Sequence, residues 1–163
     1  MAVDDLYAMA GDLLARVVTS LTAQGVVLPL LQYVAPAQLV AYDDEQLTVN
    51  IPQLLNGRPG TGNASQQQDS WSSEHCVEFQ ISLTRMTPGL TEQGNMPLIA
   101  DLVASSAQHA KDMQAVYRAM MDIRFAGLWV DNQRPFAILG VRAYGPEGYM
   151  VGSIGTLQVE VFN

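Results

Sequence analysis

His75-Cys76-Val77-Glu78-Phe79-Gln80-Ile81-Ser82-Leu83-Thr84-Arg85 alternates more cleanly than any other stretch of this chain. Successive side chains of a strand point to opposite faces. Val77, Phe79, Ile81 and Leu83 therefore share one face, and Glu78, Gln80, Ser82 and Thr84 share the other. An apolar face backed by a polar one predicts a strand with one wet side, the pattern of an antiparallel sheet. Upstream, Asp43-Asp44-Glu45 leads into a second alternating run, Gln46-Leu47-Thr48-Val49-Asn50-Ile51. That strand is expected to end at Pro52, which has no N–H to give to a central ladder. Downstream, residues 136–144 and 150–162 read as two strands joined by the turn Gly145-Pro146-Glu147-Gly148. On the last strand Leu157, Val159 and Val161 alternate with Thr156, Gln158 and Glu160.

Two helical patterns flank these strands. Across residues 4–24, Leu6, Met9, Ala10, Leu13, Val17 and Leu21 recur at three- and four-residue steps. Asp4 or Asp5 can cap this helix, and Gly25 stands where a left-handed C-terminal residue is wanted. A second helix is expected from Pro97, in its first turn, to Arg124, a length of roughly 40 Å. Its expected stripe is Ile99, Leu102, Val103, Ser106, Ala110, Met113, Tyr117, Met120 and Met121. Between the first helix and the acidic run, the apolar stretch 26–40 carries Pro29 and Pro36 and one short strand near 31–34. The expected fold class is α+β, an antiparallel four- to five-stranded sheet with two helices packed on one face. At 163 residues, one domain spanning 1–163 is the simplest division. It contains a long polar loop at about 56–73, rich in Gly, Asn, Ser and Gln and read as flexible.

Composition narrows the function. Hydrophobic residues make up 48% of the chain, enough for a core, whereas only 15% are charged. So low a surface charge suggests that part of the surface is hidden in an assembly. The net charge of −8, with Lys111 the single lysine, argues against gripping nucleic acid, whose affinity rests on basic residues displacing counterions. An acidic surface can still face DNA and let it slide. The lone Cys76 excludes an internal disulfide framework and a cysteine-rich zinc site. The start, Met-Ala-Val-Asp-Asp, has neither the basic region nor the apolar core of a signal peptide, and no run of eighteen apolar residues occurs. A soluble intracellular protein without membrane contact is expected.

No catalytic motif emerges. Asp43, Asp44 and Glu45 are adjacent, so along a strand their carboxylates diverge rather than converge on a metal. The only histidines, His75 and His109, lie in no metal-binding motif. Cys76 neighbours His75, but strand neighbours point apart, which removes a Cys–His nucleophile. Gly57-Arg58-Pro59-Gly60-Thr61-Gly62 resembles a phosphate loop only faintly, lacking its lysine and following helix. His109 reads as a helix-face residue, the Met113-Tyr117-Met120-Met121 stripe as packing, and Trp71 and Trp129 fall in loop-like segments. Neither a catalytic residue nor a cofactor or metal site is assigned. A small cytoplasmic ligand-binding or enzyme domain is the rival reading, and it would require Asp43, Glu45, His75 and Arg85 to meet in a pocket.

Three segments taken together carry a resemblance. They are Ala41-Tyr42-Asp43-Asp44-Glu45-Gln46-Leu47-Thr48-Val49, the strand 76–85 behind its Gly/Pro-rich loop, and Tyr144-Gly145-Pro146-Glu147-Gly148-Tyr149-Met150-Val151-Gly152 before the closing strand. In order and pattern they resemble the tail terminator proteins of long-tailed bacteriophages, particularly those of actinobacteria. The chain departs from that pattern at Gln66-Gln67-Gln68 and in the connection 128–134. The resemblance implies a structural virion protein without enzymatic activity, located in the neck region of the tail and assembled in the host cytoplasm. Such a protomer closes into a hexameric ring on the last ring of the tail tube, ends tube growth and joins the tail to the head connector. Its implied partners are further copies of itself, the tail tube protein and the connector or stopper protein, with genomic DNA passing through the lumen unbound. Asp43, Asp44, Glu45, Arg58, Trp71 and Glu147 are the interface or lumen candidates. The neighbouring neck proteins, the head–tail stopper and the completion protein, form the alternative within this class.

Overall fold

The computed structural model describes residues 5–35, 44–60, 75–89, 94–126, 134–147 and 149–161, the side chains of 124–126 excepted. Helix α1 spans Leu6–Ala23. Its free N-terminal amides are satisfied by Asp5, whose carboxylate accepts from the N–H groups of Tyr7 at 3.1 Å and Ala8 at 3.0 Å. At the other end Gly25 takes φ +75°, the left-handed conformation that stops a helix. The expected stripe lies inward: Met9, Ala10, Leu13, Val17 and Leu21 are buried.

Five strands follow: β1 Leu31–Ala35, β2 Gln46–Asn56, β3 His75–Met86, β4 Phe136–Glu147 and β5 Met150–Val161. They form one sheet in the order β1-β2-β3-β5-β4, so β3 is central and β1 and β4 are the edges. Helix α2, Ile99–Ala126, lies between β3 and β4 in the chain. It packs against β5 and β4, α1 packs against β1 and β2, and the helices meet each other. Val77, Phe79, Ile81 and Leu83 join Leu47, Val49, Leu157, Val159 and the inward residues of both helices in one core. Both helices therefore cover the same face of the sheet.

The architecture is α+β as expected, but the sheet is mixed. β1 runs parallel to β2, with Leu31 opposite Gln46 and Ala35 opposite Asn50. Every other pairing is antiparallel. The expectation of a wholly antiparallel sheet rested on the alternation in β3, which governs the neighbours of β3 alone. Leu31–Ala35 is too short and too uniformly apolar to fix its own direction.

Five further expectations are corrected. β2 does not end at Pro52: the ladder breaks between Asn50 and Gln53 and resumes with Gln53 opposite Glu78. A bulge carries the proline past the ladder, sparing it the hydrogen bond it cannot donate. β4 likewise continues through Gly145, Pro146 and Glu147, with a cis peptide at Gly145–Pro146, where a turn was expected. Pro97 precedes the first turn of α2, which opens on Leu98, whose carbonyl accepts from the amides of Asp101 and Leu102.

The fourth correction concerns the face of α2, and the fifth the polar side of β3. The buried α2 side chains are Asp112, Ala115, Val116, Ala119, Met120 and Ile123, so only Met120 of the expected stripe is fully enclosed. Ile99, Val103, Ser106, Ala110 and Tyr117 are exposed. The polar side of β3 is not wet either, since Glu78, Gln80, Ser82 and Thr84 are all buried. Asn56 still belongs to β2, residues 57–60 leave it, and the rest of the expected loop lies outside the described residues.

Close approach of α2 to the sheet depends on Gly155. A Cβ added there would sit 2.8 Å from Val116 Cγ1 and 2.9 Å from Met120 Sδ. The β-branched Val116 has little rotamer freedom in a helix, so it cannot give way. Gly155→Ala is expected to destabilise the fold by about 1–3 kcal/mol through overpacking, read as a lowered Tm in a thermal melt.

Candidate functional site

Charged side chains converge at one place, the end of β3. Arg85 lies opposite Val151 of β5, on the helix-bearing face of the sheet. Its Nε donates to Asp112 Oδ2 at 3.0 Å and its Nη2 to Asp112 Oδ1 at 3.4 Å. The same Nη2 donates to the carbonyl of Val27 at 2.7 Å. Nη1 stands 3.6 Å from Glu45 Oε2, and the other Glu45 oxygen accepts from the Met86 amide at 3.2 Å. Gln108 Nε2 completes the shell, donating to Asp112 Oδ1 at 2.9 Å. Four parts of the chain meet here: the α1–β1 connection, the lead into β2, the end of β3 and the middle of α2.

Burial separates the two ion pairs in strength. The Arg85 and Asp112 side chains are 11% and 1% exposed, whereas Glu45 is 37% exposed. The Glu45 pair is therefore screened by water and contributes little. The Arg85–Asp112 fork is desolvated, and its worth is largely the cost of leaving either charge alone.

Two open clefts flank the fork. One, of about 550 Å³, is lined by Gln24, Val27, Arg85, Lys111, Asp112 and Arg118 among others. The other, of about 350 Å³, includes Glu45, Met86, Asp101, Ser105 and His109. Asp101 and His109 are eight residues apart on α2, roughly 12 Å along its axis, and do not form an acid–base pair. Among the described residues no group of three or more His, Cys, Asp or Glu could hold a metal ion, and no helix is long and apolar enough to cross a membrane.

A second polar cluster occupies the face of the sheet without helices. Glu78 accepts from Gln53 Nε2 at 3.1 Å, Gln158 Nε2 at 3.2 Å and Gln80 Nε2 at 3.4 Å. The Gly60 amide donates to Gln158 Oε1 at 3.0 Å, which ties the segment leaving β2 across β3 onto β5. Beside them, the buried Thr48 Oγ1 and Asn50 Oδ1 have no hydrogen-bond partner among the described residues. Cys76 is buried on the same face, opposite Glu160. Burial raises its thiol pKa, and the nearby Glu78 and Glu160 carboxylates raise it further.

The expected site residues separate in space. Glu45 and Arg85 meet, as the pocket reading required, but His75 stands at the opposite end of β3, roughly 33 Å away, beside Asn56 Oδ1 at 3.1 Å. Asp44 is exposed and accepts from the Glu45 amide. Arg58 is exposed beyond β2, and Glu147 is exposed on β4, where it accepts from the Tyr144 hydroxyl. Asp43, Trp71 and Trp129 lie outside the described residues. Asp112 was missed. Its signal was its spacing from Ala115, Val116, Ala119 and Met120, which puts it on their face of the helix.

Asp112→Ala is expected to cost about 3 kcal/mol, because it strands a mostly buried guanidinium. Asp112→Asn, which keeps one acceptor, should cost less. Urea midpoints at unchanged m would measure both. A second expectation concerns Cys76. The folded chain should resist iodoacetamide at pH 8 and react only as fast as it opens, which mass spectrometry can follow. Because folding raises this pKa, the thiol's contribution to stability is full below the ordinary value of about 8.5. It is lost as pH rises from there through the raised value.

No protein-family model matches the chain, and no match was found among the curated proteins.

Proposed function

We propose that this chain is a structural virion protein of the tail-terminator kind, a subunit that closes into a hexameric ring at the head-proximal end of a phage tail tube. In this reading the ring ends tube growth and joins the tail to the head connector or stopper protein, with genomic DNA passing through the lumen without specific binding. It takes no cofactor and performs no catalysis. The protein assembles in the host cytoplasm and resides in the virion neck. The order and pattern of the three segments quoted above support the family.

The structural observation that carries an assembly role is the first half of α2. From Ile99 to Lys111 not one side chain is buried. Leu98, Ile99 and Val103 are 72%, 79% and 62% exposed, and Asp101 is the single acid between 95 and 110. Leu98, Ile99 and Val103 form an exposed, nearly uncharged apolar patch on a half-helix in which only Leu102, Ser105 and His109 are even half-buried, and such a patch fits a surface that a protein partner covers. A chain with a net charge of −8 must associate through such patches, because its acidic surfaces repel one another. Asp44 and Glu147, both exposed, remain the acids best disposed to face a lumen, while Glu45 is engaged by Arg85 and the Met86 amide.

Mass photometry and cryo-EM of the purified protein should show six-fold rings, free or seated on tail tubes. A strictly monomeric protein that also leaves tail tubes unbound would overturn the reading. Ile99→Glu with Val103→Glu should leave unfolding free energy within about 0.5 kcal/mol per site, since neither side chain is buried. The same variant should lose ring formation.

A further inference from the structure

The two edges of the sheet are unlike each other and fit together. β1 pairs with β2 on one side, and among the described residues nothing pairs with its other side. An edge strand usually carries charge, proline or a bulge that discourages further pairing. Leu31-Gln32-Tyr33-Val34-Ala35 has none of these, and Leu31 and Tyr33 expose 46% and 36% of their surface. β4 at the far edge is interrupted by register shifts between Ile138 and Gly140 and between Tyr144 and Glu147. The longer of the regular stretches these leave is Gly140 to Tyr144, in which consecutive residues pair with β5 without a break. It is five residues long, the same length as β1.

Direction and facing also agree. β1 and β2 run one way, β3 the other, β5 back again, and β4 again opposite. When two copies extend one sheet with their helices on the same side, the β4 edge of one meets the β1 edge of the next antiparallel. Tyr33 stands opposite Thr48, and its hydroxyl donates to Gln46 Oε1 at 2.8 Å, which places it on the helix-free face. Arg142 shares that face, opposite Ile154. Val34 and Val141 both pack at the border of the core, on the helix side. Pairing Tyr33 with Arg142 and Val34 with Val141 therefore keeps every side chain on its proper face, which a slip of one residue would not. Charge favours the same contact: β1 carries none, and Gly140 to Tyr144 carries only Arg142, so no acid faces another.

Resting on the ring reading, we propose that neighbouring copies are joined by this strand pair, β1 of one copy against Gly140–Tyr144 of the next. The contact is heterologous, with a different patch on each side of the protomer, the type that generates rings.

Directly opposed residues of an antiparallel pair lie close enough for a disulfide. The test is the double variant Tyr33→Cys with Arg142→Cys in the full chain, mildly oxidised and run on a non-reducing gel. The expected result is a ladder of cross-linked species up to the complete ring, which either single variant lacks. Gln32→Cys with Arg142→Cys, whose side chains point to opposite faces, should give no ladder. Rings without a ladder would overturn this contact and leave the ring reading standing. A wild-type chain that forms no rings would overturn both. If the first pair prevents assembly, Val34→Cys with Val141→Cys decides between the same outcomes.

Discussion

Arg85 is the point at which the four separate parts of the fold are fastened. Most of the core is non-directional apolar contact between the sheet and two helices, and such contact tolerates sliding. The fork from Arg85 to Asp112 does not, because two parallel hydrogen bonds require one distance and one orientation. It fixes the rotation of α2 about its own axis. The bond to the Val27 carbonyl then fixes the chain between α1 and β1, and Glu45 fixes the entry into β2. The cost of burying Arg85 and Asp112 is offset only when both are in place, which makes the fork a register device more than a source of net stability.

Much of this was legible in the residues, and the reasons for the misses are physical. α1 could be read completely, since its stripe, its capping aspartate and its terminating glycine all agree. The strands also announced themselves through alternation. The direction of β1 did not, because five mostly apolar residues carry no such signal. α2 was placed correctly but rotated wrongly. Its apolar residues begin at Ile99, and a reading from periodicity assumes that a continuous stripe is a buried one. Here the buried face begins with an aspartate, a residue that sequence reasoning assigns to solvent unless its partner is known. The partner, Arg85, is 27 residues away in the chain. Of the candidate site, Glu45 and Arg85 were named together only by the rival pocket reading, which also required His75 from the far end of β3, and the dominant carboxylate was not named.

The polar side of β3 shows how alternation can indicate chemistry without indicating exposure. Glu78, Gln80, Ser82 and Thr84 are polar, yet they are enclosed, and Glu78, Gln80 and Thr84 are hydrogen-bonded to one another or to neighbouring strands. A central strand in a five-stranded sheet gains two polar neighbours on that face, and long glutamine side chains from β2 and β5 reach over Glu78. Even so, Thr48 and Asn50 have oxygens there without a partner among the described residues, an expense that a buried polar face rarely carries without reason.

The overhang of α2 divides one continuous helix into two thermodynamic segments. From Asp112 onward its backbone is held by the core, so those amides open only when the domain unfolds. Before Asp112 the helix has no enclosed side chain: half-buried Leu102, Ser105 and His109 and the 3.2 Å contact between the Thr87 and Ser105 hydroxyls add little to local hydrogen bonds, which for a dozen residues in water are barely sufficient. Hydrogen exchange would therefore change steeply near Asp112, with no break in the helix to mark the boundary. The fold in effect carries a lightly anchored helical segment as the continuation of a firmly held one.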